Sequence, residues 1–340
     1  MKLGSIKATE GNKQKRDGEL CVISKNLKFA VNVSSLFPTT AENLLSAVEN
    51  WDDISPRLQK IYEQLSSENI SVGSTVDGLN VIAMETEKFH SALPRTWLFA
   101  DGSAFIHHIK LVRMARKAAL PETLTTVPLI YQGECGKFLN PTEKIPQVDF
   151  AHGTDFEGEV GVIVADTPMG ISAEDAIKKI RLVVLINDVS LRGLIPEELA
   201  QGFGFFQSKP SSALSPVACT VDELGSAWIE GRLHLPLQVH LNEKFFGKAN
   251  AGAMHFHFGQ LIAHAARTRD LVAGSLIGSG TVANEDSTVG SSCLAEKRML
   301  EQIQTGTAVT SFMKKGDRIQ IWMEDDKGNS IFGKIDQTVG

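Results

Sequence analysis

The chain has 340 residues, 42% of them hydrophobic and 22% charged, and carries a formal net charge of −6. Such a chain is globular, long enough for two domains, and able to bury a large core without staples. A mildly acidic balance gives no bulk attraction to phosphate backbones, so nucleic acid is disfavoured as a partner, and the short basic run Lys13 to Arg16 reads as a solvated loop.

The cysteines Cys21, Cys135, Cys219 and Cys293 are far apart and form no Cys-x-x-Cys pair. Neither a disulfide framework nor a zinc site is expected, and a reducing compartment fits best. Residues 1–20 lack the apolar core of a secretory leader, and no stretch approaches the ~18 apolar residues of a membrane span. A cytoplasmic protein is expected.

Leu20–Ala30 reads as a hairpin with Asn26 in its turn. Two helical segments follow. Ser55 is a candidate helix N-cap and Pro56 a candidate first helical residue. Ile54, Leu58, Ile61, Tyr62 and Leu65 form one apolar stripe. A polar stretch, 66–78, leads to a domain boundary at about residue 90, near Ser91-Ala-Leu-Pro94. This gives a small N-terminal β-rich domain, 1–90, and a larger domain, 91–340. In the larger unit 156–164 alternates, 182–186 is a continuous apolar run, and 318–324 pairs with 330–335 as a hairpin. One helix starts at Ser172, with Ala173, Ala176, Ile177 and Ile180 on its apolar face. Another spans 258–267. Strands outnumber helices, so the expected class is α+β on a β-rich core.

Three segments carry candidate chemistry. In Asp155-Phe-Glu157-Gly-Glu159-Val160, strand alternation puts Glu157 and Glu159 on one face, with Phe156, Val160, Val162 and Val164 facing a core. Two carboxylates on one face repel unless water or a cation screens them. A solvent-facing strand accommodates the same pattern. The run 182–186 ends in Asn187-Asp188, which either delivers an acid to the rim of the core or starts a turn. Asp101 precedes the adjacent histidines His107 and His108. Read as a strand, only one of these can face a given site, and His107 reads as a surface or core-edge residue.

Taken together the blocks resemble the fumarylacetoacetate hydrolase superfamily. They are Asp-Phe-Glu157-Gly-Glu159, Asn187-Asp188-Val-Ser-Leu-Arg192, Gly202-Phe-Gly-Phe-Phe-Gln-Ser-Lys209 and Gly278-Ser-Gly280-Thr-Val-Ala-Asn284, and the resemblance covers roughly 95–340. It implies a mixed β-sandwich roll preceded by a small β-rich module, and a homodimer. It implies that Glu157, Glu159 and Asp188 hold Mg²⁺, Mn²⁺ or Ca²⁺. Asp101 matches a fourth carboxylate found in the branch that hydrolyses fumarylacetoacetate itself. His108 matches that branch's catalytic histidine and Tyr131 a substrate-contacting tyrosine. Lys209 becomes a candidate oxyanion stabiliser, and Arg192 either a substrate contact or a structural ion-pair partner. An all-oxygen, strongly negative site suits these hard cations rather than zinc or copper.

Two departures bear on the substrate. The glutamate that should partner the histidine has Glu296 as its nearest counterpart, with Ala295 taking the place if the alignment slips by one. The arginine expected soon after the histidine has only Arg113 and Arg116 nearby, neither at the matching spacing. The implied reaction is metal-dependent cleavage of a carbon–carbon bond in a β-diketo acid. The alternatives are a 2-oxo-acid hydratase, isomerase or decarboxylase on the same platform, or a non-catalytic binding protein.

Overall fold

The computed structural model describes residues 1–10, 13–115 and 119–340; Arg116 lies outside them. β1 (Lys2–Ile6), β2 (Glu19–Ile23), β3 (Phe29–Asn32) and β4 (Leu79–Ala83) form an antiparallel meander, with α1 (Leu44–Glu49) and α2 (Trp51–Leu65) between β3 and β4. The predicted hairpin is β2–β3, and Asn26 holds its turn: Oδ1 accepts the Lys28 N–H at 3.0 Å and the Ser24 hydroxyl at 2.8 Å. In α2 the five predicted stripe residues are the buried ones.

The start of α2 differs from expectation. It begins at Trp51, so Ser55 is no cap and Pro56 lies inside the helix. The reason is that α1 runs into α2 through Asn50, whose N–H donates to the Ser46 carbonyl at 3.1 Å while its own carbonyl accepts from Asp53 at 3.2 Å. Pro56 then removes only the bond to the carbonyl of Asp52, and Asp52 is exposed to water.

The larger unit follows as β5 (Phe99–Gly102), α3 (Ile106–Ala115), β6 (Ile130–Gly133), β7 (Gly158–Val164), α4 (Ala173–Ile177), β8 (Ile180–Asn187), α5 (Ile195–Ala200), β9 (Ala218–Cys219), β10 (Leu237–Leu241), β11 (Lys244–Gly247), α6 (Phe258–Ala265), β12 (Leu276–Gly278), α7 (Leu294–Thr305), β13 (Arg318–Glu324) and β14 (Ser330–Thr338). Ser172 caps α4 by accepting the Asp175 N–H at 3.1 Å, but α4 ends at Ile177 and Ile180 opens a strand. His107 and His108 lie on a helix, α3, not on a strand. No helix among the described residues is long and apolar enough to cross a membrane.

One sheet of 12 strands runs through both units in the order β4-β3-β2-β1-β9-β8-β7-β12-β5-β6, with Thr75–Val76 added beside β4 and Ala213–Leu214 beside β8. Among the described residues β12 and β5 are the one pair of neighbouring strands in this sheet that run parallel. A second sheet, β11-β10-β13-β14, covers one face. Phe156, Val160 and Val162 pack there with Leu237, Val239, Ile319 and Ile335. On the opposite face Ile163, Leu182, Val184 and Leu276 pack with Leu3, Leu58, Ile61 and Leu65. The architecture is therefore α+β and sheet-rich, with β7 and β8 buried on both sides.

Register decides where the polar residues of these strands emerge. Gly158 on β7 lies opposite Asn187 on β8, Gly161 on β7 opposite Gly278 on β12, and Gly278 opposite Asp101 on β5. The start of β7 and the ends of β5, β8 and β12 thus meet at one edge.

The shared sheet predicts cooperative unfolding. Leu3 is fully buried among residues of both units, so Leu3→Ala is expected to cost ~2–5 kcal/mol. Calorimetry should show one transition that moves as a whole; two separate transitions, with only one displaced, would contradict this.

Candidate active site

Asp101, Glu159 and Asp188 meet at that edge, each offering an oxygen within 4.8 Å of the others. All three are buried. Asp101 is fixed by the glycines around it. Its Oδ1 accepts the Gly280 N–H at 3.2 Å, and a Cβ on Gly278 would stand 2.1 Å from the same oxygen. Asp188 is fixed by Ser212, which donates to Oδ1 at 2.6 Å, and by Tyr131, which donates to Oδ2 at 2.7 Å. Asn187 beside it accepts the Glu157 N–H at 3.3 Å and donates to Gln337 at 2.9 Å, so the Asn-Asp pair is stitched into the core rather than forming a free turn.

Glu157 has a different environment from Glu159. Its Oε2 accepts from Lys209 at 2.7 Å, and its Oε1 accepts from Arg192. Lys209 also donates to Asp188 Oδ2. Burial pushes the Glu157 carboxyl up, but Arg192 and Lys209 outweigh it and hold the group well below the usual carboxylate range. Glu159 has no donor for either buried oxygen. Burial, then Asp101 and Asp188, push it well above the usual range. Asp101 is pushed up in the same way, by burial and by Asp188. Burial opposes the charge on Lys209, yet Asp188 and Glu157 raise its affinity for a proton above the ordinary value.

This arrangement fits a divalent cation. Oxygens on one ion at ~2.0–2.6 Å lie no more than about 5 Å apart, which the trio satisfies. The donors are all oxygen, and an orphaned buried carboxylate is the group such an ion would satisfy. The trio contains Asp101, whereas Glu157 stands beside it, neutralised by Lys209 and Arg192. His108, Glu157 and Cys293 form a second close group.

His108 projects from α3 into the same cavity, of about 290 Å³, that Asp101, Tyr131, Glu157, Glu159, Arg192 and Lys209 line. Its Nδ1 lies 3.1 Å from Oε2 of Glu296, a fully buried residue in the first turn of α7. Ala295 points elsewhere in its bonding: its N–H donates to Asp155 at 3.0 Å. His107, about a quarter-turn away on the helix, is not among the cavity residues. Arg113 lines the cavity and donates to the Ala119 carbonyl at 2.7 Å.

Several residues at the site had no role assigned from sequence. Asp155 accepts the Arg192 Nε–H at 2.8 Å and the N–H groups of Leu294 and Ala295, joining Arg192 to the N-terminus of α7. Its place two residues before Glu157 on the same face was the available signal. Ser212 and Cys293 come from distant segments and carried none. Glu198 accepts the N–H groups of Phe206 and Ser208 at 3.2 Å and shapes the loop before Lys209. Phe205 of that loop meets Tyr131 edge to face at 5.3 Å.

A family model described as fumarylacetoacetate (FAA) hydrolase C-terminal matches residues 98–340, and one described as fumarylacetoacetase N-terminal domain 2 matches residues 1–95. The chain belongs to the fumarylacetoacetate hydrolase family. Among family relatives, an oxaloacetate tautomerase, YisK, of Bacillus subtilis (strain 168) is 22% identical over 291 residues, 84% of each chain. A fumarylacetoacetase of Caenorhabditis elegans is 22% identical over 66% of this chain and 64% of its own. Among solved structures, maleylpyruvate hydrolase from Sphingobium sp. SYK-6 in complex with manganese(II) ion and pyruvate is 14% identical, covers all of both chains and has a TM-score of 0.64. At that identity the likeness shows that the fumarylacetoacetate hydrolase fold is shared.

The orphaned carboxylate gives a direct test. Glu159→Gln replaces a buried carboxyl group that no donor compensates and that burial, Asp101 and Asp188 already push toward its neutral form, so the metal-free variant should melt no lower than wild type. Mn²⁺ at a hundredfold excess over its dissociation constant should stabilise wild type by ~2.7 kcal/mol and leave the variant unmoved. Equal stabilisation of both in thermal denaturation would remove Glu159 from the ion's ligands.

Proposed function

We propose that this chain is a divalent-metal-dependent hydrolase that cleaves the carbon–carbon bond of a β-diketo acid such as an acylpyruvate or a fumarylacetoacetate-like compound. The observation that carries the reading is the pairing of His108 with Glu296 at 3.1 Å, in the cavity that also holds Asp101 and Glu159. A site built only to bind a ligand needs no oriented base. We assign the ion-holding role to Asp101, Glu159 and Asp188, with Glu157 as the further ligand that the family resemblance implies. Mg²⁺, Mn²⁺ or Ca²⁺ would suit these oxygens. When bound, the cation would polarise the substrate's carbonyl oxygens and stabilise developing enolate charge.

The chain's own residues supply the rest. With the Glu296 carboxylate accepting from Nδ1 of His108, Nε2 is the nitrogen left to take a proton from water. The water oxygen adds to the acyl carbonyl carbon. As the bond to the methylene carbon breaks, its electron pair stays with that carbon, which takes up a proton to give an oxo acid, a 2-oxo acid from an acylpyruvate and a 3-oxo acid from a fumarylacetoacetate-like compound; the acyl part leaves as a carboxylic acid. Lys209, already directed at Glu157 and Asp188, donates to oxygen where negative charge develops. Tyr131 and Arg192 line the cavity as substrate contacts, Arg192 being aimed by Asp155. The names of relatives that act as maleylpyruvate hydrolase and fumarylacetoacetase support this class of substrate.

A second reading has one observation in its favour: the relative named oxaloacetate tautomerase spans 84% of the chain. In that case His108 moves a proton between carbon and oxygen of a β-dicarbonyl acid and no bond between carbons breaks.

Mn²⁺-loaded protein should bleach the diketone absorbance of acylpyruvates and release two acids. Interconversion of oxaloacetate tautomers, with every acylpyruvate left intact, would select the second reading. His108→Asn should keep the metal and lose ~10²–10⁴-fold in turnover, the usual worth of a positioned base, while His107→Asn should be mild. The opposite ranking would move the base elsewhere.

A further inference from the structure

We infer that Glu198 is a positioning residue: its carboxylate clasps the loop 202–208 and so places Lys209 at the site. The inference rests on the role proposed above for Lys209, which meets the negative charge that develops during the reaction. It deepens that reading by naming a residue outside the cavity lining on which the role depends.

The loop between α5 and Lys209 is not held by apolar packing alone. Gly202 and Gly204 take the left-handed region, at φ +82° and +100°, and let the chain turn sharply. Phe203 and Phe206 project into water, 101% and 86% exposed; of the three aromatic side chains, Phe205 is the one that lines the cavity. The remaining hold is polar. The N–H groups of Phe206, Gln207 and Ser208 converge on the Glu198 carboxylate. Gln207 donates to Oε1 at 2.5 Å, Ser208 to Oε2 at 3.2 Å, and Phe206 to both oxygens at 3.2 Å. The Ser208 hydroxyl donates to Oε2 as well. Successive N–H groups turned to one point make a nest that takes an anion, and here the chain supplies the anion itself. Burial opposes the charge, but the Ser208 hydroxyl and the three N–H groups outweigh it and hold the carboxyl below its ordinary range.

The clasp reaches the site through the backbone. Ser208 is fully buried, and its carbonyl accepts the Leu191 N–H at 2.8 Å, three residues after Asp188. Lys209 therefore leaves a segment pinned on one side by Glu198 and on the other by the short strand Ser190–Leu191. Its ion pairs with Glu157 and Asp188 fix only the ammonium. The flexible four-carbon stem leaves the Cα to be set by the loop. Tyr131 meets both ends of this segment: Phe205 lies edge to face at 5.3 Å, and the Lys209 ammonium lies 5.0 Å from the ring centroid. Ile195 and Leu199, four apart on α5, line the cavity, and Glu198 beside them ties that wall to the loop. Loss of the clasp frees Lys209, and a misplacement of about 1 Å costs on the order of 10²-fold in rate.

The test uses the Mn²⁺-loaded full chain. Acetic anhydride should label Lys209 slowly in wild type, where the amine is buried in its ion pairs, as read by mass spectrometry of the peptides. In Glu198→Ala labelling should be about tenfold faster, the worth of one charged hydrogen bond. Formate, which fits the emptied nest, should restore protection in Glu198→Ala and change nothing in wild type. Glu198→Gln keeps one acceptor and the same size; it should lie between, and it carries the comparison if the alanine variant does not fold. On whichever substrate turns over, acylpyruvate or oxaloacetate, Glu198→Ala should lose about 10–10²-fold in kcat with KM little changed. In Lys209→Ala the same substitution should cost much less. Labelling at one rate in wild type and both variants, or losses that multiply in full in the double variant, would overturn the inference. Turnover of oxaloacetate with every acylpyruvate left intact would overturn the hydrolase reading and leave this one standing. Hydrolysis of acylpyruvates with Lys209 equally protected throughout would do the reverse.

Discussion

Asp101, Glu159 and Asp188 stand within 4.8 Å of one another with almost no access to water. Taking an ionised carboxylate out of water costs several kcal/mol even after the protein relaxes, unless a partner compensates. The chain compensates part of this set internally. Arg192 is placed between Asp155 and Glu157, and Lys209 between Glu157 and Asp188. Among the described residues Glu159 and Asp101 are paired with no such cation, and burial together with the neighbouring acids raises their proton affinities. The imbalance is local and directional. Positive charge is supplied on the Glu157 side, and a demand for it remains on the Glu159 side.

An assembly of like charges holds its geometry only if the backbone beneath it cannot relax. Here the acids sit at the ends of strands covered on both faces, β7 by one cluster through Val160 and Val162 and by another through Ile163. Side chains that could swing are tied down by groups from elsewhere in the chain: Ser212 and Tyr131 on Asp188, the Gly280 N–H on Asp101. Gly278 is required because any side chain there would occupy the position of the Asp101 oxygen. The N-terminal unit contributes to this rigidity, since β1 continues the same sheet and α2 packs behind the strands that bear the acids.

What the sequence made legible follows from the range of the interactions involved. Period-two alternation around Glu157 and Glu159, the apolar run before Asp188 and the hairpins at β2–β3 and β13–β14 are local patterns, and they appear as read. The stripe of α2 was legible, but its start was not, because the capping signal at Ser55-Pro56 was overridden by the tertiary continuation from α1. The helical state of His107 and His108 was also missed. A run of two histidines between apolar residues has no strong period, and packing of α3 beside α7 decides it. The different surroundings of Glu157 and Glu159 were beyond reach. Both share a strand face, and only the arrival of Lys209 and Arg192 from later segments separates them.

The placement of α7 links these separate features. Its N-terminal N–H groups hold Asp155, which aims Arg192. Its first turn carries Glu296, which orients His108, while the neighbouring face carries Arg298 and Met299 into an adjoining cavity of about 500 Å³. A side-chain change on that neighbouring face alters the adjoining cavity and leaves the backbone N–H groups on Asp155 and the Glu296 contact in place. A change that shifts the helix as a body moves Arg192, His108 and the cavity wall together. The geometry of the site therefore fixes where the first turn of α7 must lie, whereas side chains on the neighbouring face are free of that constraint.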